Sequence, residues 1–149
     1  MGRTSKSVIE NPLALQEQVC FALAVASRSV VAIYRPLLEP MGLTHPKYLV
    51  MLALWEHEPV KVKDLSGMLQ LDSATLSPLL KKLESMGLIR RERDPNDERS
   101  LAIVLTRKGH DLRAEAEKIP PAIVARLGLP LDDLIAMREV LKRVITATQ

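Results

Sequence analysis

The chain changes its hydrophobic period at Gly87, and that change limits its possible folds more than any other feature. Before Gly87, apolar side chains recur every three or four residues. After it they alternate, so helix gives way to strand. Val62, Leu65, Met68 and Leu69 form the stripe of a short helix, and Gln70-Leu71 a turn. Leu76, Leu79, Leu80, Leu83 and Met86 form the stripe of a second helix. Asp72 stands at its N-cap, where a carboxylate can accept from the free amides of the first turn and suits the helix dipole. Pro78 removes one internal hydrogen bond and should bend this helix. The stripe continues in phase across it, so the helix is expected to run through, with a break near Pro78 as the alternative. Gly87 suits the left-handed residue that ends a helix. Residues 88–93 and 100–105 then read as two strands around a polar turn, 94–99.

A helix, a tight turn, a helix and a hairpin in that order lay out a winged helix-turn-helix, a unit that reads DNA. The second helix supports this on its polar side, which carries Ala74, Ser77, Pro78, Lys81, Lys82 and Ser85. Small residues permit close approach to a major groove, hydroxyls can read base edges, and lysines meet phosphates. Ser73, Ala74, Thr75, Ser77, Pro78 and Lys81 are the candidates for base contact, with Lys82 and Arg91 on phosphate. Arg99 is expected at the hairpin tip, where a guanidinium can enter a narrow, electronegative minor groove. Asp97 could orient it through a bidentate pair. The competing reading is that Asp97 and Arg99 only fix the hairpin.

The flanks are helical and too apolar to be solvated arms. Asn11-Pro12 reads as N-cap and first helical residue, opening a helix from residue 13 to about residue 34. Leu13, Leu15, Val19, Cys20, Phe21, Leu23, Ala24, Val25, Val30, Val31 and Ile33 make it apolar on more than one face. A helix of that kind is buried on more than one side, and in 149 residues the second side is expected to be another subunit. Pro36 and Pro40 should end it. Thr44 caps a helix with an inward stripe of Tyr48, Leu49, Met51, Leu52 and Trp55, closed by His57-Glu58-Pro59. Past Thr106 a helix is expected to about residue 119, kinked or ended by Pro120-Pro121. A helical turn over 122–127 and a last helix from residue 131 to about residue 146 follow. The expected fold is therefore mainly α with a small β-hairpin (α+β) in one domain, 1–149. Dimerisation helices at 11–43 and 107–149 flank a DNA-binding region at 44–106. A two-fold homodimer would present two reading helices to a pseudo-palindromic operator in double-stranded DNA, about one helical turn apart.

Composition narrows the alternatives. The net charge of +3 is compatible with nucleic acid but weak on its own. No uninterrupted apolar run reaches membrane length, and residues 1–10 lack the apolar core of a signal peptide, so no membrane partner is expected. The single cysteine cannot form an internal disulfide, which makes the cytoplasm the default location. No glycine-rich phosphate loop, no nucleophile with an evident base and no paired carboxylates point to an enzyme, and no cofactor is implied. Cys20, His45, His57 and His110 are the candidate metal ligands, but their spacings match no tight metal motif. On composition alone, a lone cysteine among valines, alanines and leucines reads as an inert core residue.

Specific strings carry a family resemblance. Leu71-Asp72-Ser73-Ala74-Thr75-Leu76, Asp97-Glu98-Arg99-Ser100 and Leu105-Thr106 are similar to the MarR family of bacterial transcription regulators. Gln18-Val19-Cys20-Phe21-Ala22-Leu23, Ala26-Ser27-Arg28, Tyr34-Arg35-Pro36-Leu37-Leu38-Glu39-Pro40, Leu43-Thr44 and Pro46-Lys47-Tyr48-Leu49 resemble one branch of it, the organic-hydroperoxide-resistance regulators. The resemblance spans nearly the whole chain after residue 10. It implies a dimeric repressor that releases DNA when an organic hydroperoxide oxidises Cys20. Two tyrosines of the family hydrogen-bond the thiolate; Tyr34 matches one, and His45 stands at the place of the other. A further family tyrosine is replaced by Ala24. An imidazolium at His45 could stabilise a thiolate, a neutral imidazole could accept its proton, or His45 could simply start a helix. With no second cysteine, the chain resembles the one-cysteine type. Its sulfenic acid would be capped by a low-molecular-weight thiol or a backbone nitrogen, or would over-oxidise. The sulfenate or adduct would bring polarity into an apolar pocket near the dimer seam and rotate the reading heads out of register. The alternative is a regulator of the same family released by a small phenolic or aromatic ligand at the seam, with Cys20 structural.

Overall fold

A computed structural model describes residues 11–149; the expectations for 1–10 fall outside the described residues. The elements are α1 (Val19–Leu38), α2 (His45–His57), β1 (Val60–Lys61), α3 (Val62–Leu69), α4 (Ser73–Ser85), β2 (Ile89–Asp94), β3 (Asp97–Leu105), α5 (Arg107–Ala116), α6 (Ile119–Leu127) and α7 (Leu131–Ala147). Single 3-10 turns lie at Leu15–Glu17 and Glu39–Met41. The architecture is mainly helical with one small antiparallel sheet, as the change of period implied.

The first helix starts later and ends later than its sequence suggests. Asn11 does not cap it. Its carbonyl accepts from the Ala14 amide (3.1 Å), closing a turn, and Gln18 is extended. The Gln18 amide donates to the carbonyls of Pro12 (2.6 Å) and Ala14 (3.1 Å), tying this segment onto itself before α1 begins. Pro36 does not end α1 but sits inside its last turns. Losing one amide there is tolerated because Leu38, fully buried, anchors the helix end in the core. Pro40 instead falls in the first turn of the 3-10 segment, where it has no bond to break. By length and composition Val19–Met41 also passes for a membrane-crossing helix. Arg28 and Arg35 divide it, so it holds no unbroken apolar run of membrane length.

The centre of the chain folds around one core. Leu54, Leu65, Leu76, Leu80 and Leu83 have no solvent exposure, and each contributes roughly 1.5–3 kcal/mol by its burial. Helix α3 has the expected bounds, but its stripe is narrower: Leu65 is buried and Met68 lies 48% exposed. In α2 the buried positions are Tyr48, Val50, Met51 and Leu54, whereas Leu52 faces out and Trp55 is half-buried. Trp55 Nε1 donates to the Gly109 carbonyl (2.9 Å), so that ring joins α2 to α5.

The hairpin is part of a three-stranded sheet in the order β1-β3-β2. The short strand β1 lies in what reads as a polar connection and pairs Val60 with Ile103 and Lys61 with Ala102. The loop between β2 and β3 is only Pro95-Asn96, because the Asp94 carboxylate accepts from the Asn96 amide (2.7 Å) and closes it. Arg99 is therefore in strand β3 rather than at the tip.

Pro120 and Pro121 begin a helix rather than end one. α5 stops at Ala116, and the prolines sit in the first turn of α6. No residue of α7 is buried. Leu131, Ile135, Met137, Val140, Val144 and Ile145 on that helix are all large, apolar and at least 40% exposed.

Candidate functional site

Two groups of residues carry chemistry. The first is the outer face of α4. The Asp72 carboxylate accepts from the Thr75 amide (2.7 Å) and caps the helix as expected. That bond, foremost, holds its carboxyl below the usual carboxylate range. The Ser66 hydroxyl donates to the Leu71 carbonyl and fixes the turn between α3 and α4. Pro78 lies within a continuous α4, as the unbroken stripe required. Ser73, Ala74, Thr75, Pro78, Lys81 and Lys82 are exposed together on this face, with Ser77 half-buried beside them. Arg91 leans on Glu84 (Nε to Oε2, 3.3 Å), so any phosphate contact there competes with that pair.

The end of α4 is fastened in a way the sequence reading missed. Gly87 takes the left-handed conformation (φ 75°). Its carbonyl accepts from the Thr106 hydroxyl (2.6 Å), and the Met86 carbonyl accepts from the Lys108 ammonium (2.9 Å). The Thr106 hydroxyl in turn accepts from the Gly109 amide (3.1 Å) as the N-cap of α5. A side chain at Gly109 would collide with the backbone carbonyl of Leu88. The start of α5 is thus bolted to the end of α4. The signal was present as Thr-x-x-Gly, a capping residue followed by a glycine.

Asp97 does not hold the Arg99 guanidinium. Its Oδ1 accepts from the Arg99 backbone amide (3.1 Å) and its Oδ2 from the Ser100 hydroxyl (3.0 Å), with Lys61 Nζ at 3.6 Å. These partners, the Arg99 amide first, keep its carboxyl below the usual range. Asp97 therefore organises the wing's backbone. The Arg99 side chain is exposed and makes no ion pair among the described residues.

The second group holds the thiol and the rings that the resemblance assigns to it, and one chain does not bring them together. Cys20 is exposed at the second position of α1. It does not lie in an apolar pocket of its own protomer. Tyr34 is on the same continuous helix, 14 residues further on, which at about 1.5 Å per residue is roughly 21 Å away. The structure does bring Tyr34 and His45 together, edge to face, with ring centroids 4.9 Å apart. Tyr48 joins them at 5.7 Å from Tyr34; sequence reading had placed it in the core only. Burial raises both tyrosine hydroxyls above their ordinary pKa and lowers that of His45, so all three rings favour the neutral form. They offer two hydroxyl donors and one imidazole able to accept. His57 and His110 are elsewhere, beside Glu56 (3.4 Å) and Glu58 (2.6 Å). Among the described residues no three histidine, cysteine or acidic side chains gather as for a metal ion.

Comparison with known proteins places the chain as a whole. A model of the MarR family matches residues 43–101, which span the reading helix and most of the wing. The HTH-type transcriptional regulator TtmR of Methylorubrum extorquens is 42% identical over 142 residues, 92% of this chain and 73% of that protein. The organic hydroperoxide resistance transcriptional regulator of Bacillus subtilis is 42% identical over 127 residues, 85% of this chain and 86% of that protein. Among solved structures, reduced AbfR bound to DNA superposes with a TM-score of 0.75 at 34% identity, covering 93% of this chain and 97% of that one.

Proposed function

This chain belongs to the MarR family, and from that premise we propose that it is a dimeric DNA-binding transcription regulator, acting as a repressor, that senses organic hydroperoxides through Cys20 and then releases its operator. The observation that carries the sensing part is the 42% identity to an organic hydroperoxide regulator, together with a single thiol exposed at the start of α1.

The geometry supports a site shared between two chains. Cys20 and Tyr34 cannot meet within one straight helix. Two antiparallel copies of α1 crossing midway between them, at Ser27, set each Cys20 level with the partner subunit's Tyr34. Ala24, Ala26 and Ser27 are small enough there to let the helices approach closely. The apolar residues exposed on α1 and α7 cover one another in the same dimer. Tyr34, with His45 and Tyr48 packed beside it, then supplies hydrogen-bonding groups to the sulfur.

The reaction is one turnover rather than enzymatic catalysis. The Cys20 thiolate attacks an oxygen of the hydroperoxide. The O–O bond breaks, the sulfur gains that oxygen, and the alkoxide leaves and takes a proton to become the alcohol. Cys20 is oxidised by two electrons and the peroxide is reduced by two. A low-molecular-weight thiol can then condense with the sulfenic acid, forming a mixed disulfide and water. Either product places a polar or bulky group in the dimer seam, and the heads rotate out of half-site spacing. The protein works in the cytoplasm, where its operator is. No cofactor enters this scheme.

The test is operator binding by the reduced protein, followed by titration with an organic hydroperoxide, with Cys20→Ser in parallel. Wild type is expected to release DNA while Cys20→Ser binds and stays bound. Release by both would move sensing away from Cys20, toward a small phenolic or aromatic ligand at the seam.

A further inference from the structure

The reading of Arg99 as a minor-groove residue leaves open what holds it in place, since Asp97 does not touch its guanidinium. Strand β1 supplies an answer. It is the outer strand beside β3, paired at Val60–Ile103 and Lys61–Ala102 near the base of the wing. From there Lys61 reaches along β3 to Asp97, near the turn, with Nζ 3.6 Å from Oδ2. Asp97 is also bonded to the Arg99 amide and the Ser100 hydroxyl. One lysine at the wing's root is thereby connected, through one carboxylate, to the backbone that carries Arg99. Lys61, Lys63, Asp64, Asp97 and Arg99 line a shallow groove between the wing and the start of α3. The ammonium of Lys61 is spent on Asp97 inside it, whereas neither Lys63 nor Arg99 makes an ion pair among the described residues.

We propose that Lys61 is a positioning residue for DNA recognition: through Asp97 it fixes the wing at the angle from which Arg99 leaves the body, without itself contacting the nucleic acid. This rests on the minor-groove role of Arg99. A half-exposed ion pair of this kind carries a modest effect, so Lys61→Met should weaken operator binding about two- to fivefold. Arg99→Ala should weaken it by roughly tenfold or more.

The decisive comparison is between Arg99→Ala and the double variant Arg99→Ala/Lys61→Met, as full-length protein on the same operator over a range of salt. If Lys61 acts only through Arg99, the double variant binds as tightly as Arg99→Ala with the same salt slope, and Lys61→Arg alone restores wild-type affinity. If the double variant loses further affinity and its log–log salt slope shrinks by about 0.9, Lys61 itself sits on a phosphate and the proposal is overturned. Wild-type affinity in Lys61→Met overturns it too. Wild-type affinity in Arg99→Ala would instead remove the minor-groove reading, and the proposal with it.

Discussion

The central head and its flanking helices are both rich in apolar residues, the flanks the richer, and they are opposite in structure. In the head, the apolar faces of α2, α3 and α4 and the inner face of the sheet close on each other within one chain, and Leu54, Leu65, Leu76, Leu80 and Leu83 lose all contact with solvent. In the flanks, α1 buries only Leu38, at its very end, and α7 buries nothing. Apolar side chains therefore do not say by themselves where they are buried. The head closes its core within one chain, whereas α1 and α7 leave apolar faces open that a second copy would cover in the proposed dimer. On the proposed function, the sensing thiol lies on the open flank and the reading face on the closed head, so oxidation would act on the flank without unfolding the head.

Charging the flank should have the largest effect. In the proposed dimer, Ile135→Asp would place an unpaired charge where α7 packs against the second chain, an arrangement that costs about 3–5 kcal/mol. Sedimentation should show a monomer and operator affinity should collapse, while far-UV circular dichroism still shows a folded head. A dimer of normal stability would break the comparison. Next is Gly109→Ala, at the bolt between α5 and α4. Its Cβ meets the Leu88 carbonyl, a backbone atom that cannot rotate away, and overpacking of this kind costs roughly 1–3 kcal/mol. Urea unfolding should shift to lower midpoint with the dimer interface otherwise unaltered. The smallest effect concerns His45. Burial holds its pKa below the ordinary 6.5, so the unfolded chain takes up the proton first as pH falls. Its contribution to stability is full above about pH 6.5 and is lost as pH drops through the lowered value. His45→Gln should flatten the fall in melting temperature below that pH by a small amount, and an unchanged slope would show that the ring is not desolvated as described.

Legibility followed the range of the interactions. The bounds of α3, the Asp72 cap, the passage of α4 through Pro78 and the Gly87 terminus are set by neighbours a few residues apart, and all could be read directly. Strand β1 could not, because two residues show no alternation and their partners, Ile103 and Ala102, lie some forty positions away. The tip of the wing was misplaced for a related reason. A polar run of six residues reads as a loop, but Asp94 closes a two-residue turn and Asp97 draws the rest into strand. The proposed thiol site rests on resemblance rather than on any local pattern. Cys20, Tyr34 and His45 form no local pattern, and geometry separates Cys20 from the other two within the chain.

The claim that the redox site is completed by a second copy can be tested by trapping it. In a Tyr34→Cys variant, mild oxidation should link Cys20 to the new thiol on the other chain, giving a covalent dimer on a non-reducing gel that vanishes in Cys20→Ser/Tyr34→Cys. A link within one chain is forbidden by the roughly 21 Å of helix between the two positions. Failure to form any covalent dimer, with both thiols shown to be free and reactive, would contradict the shared site and leave Cys20 to act from its own protomer alone.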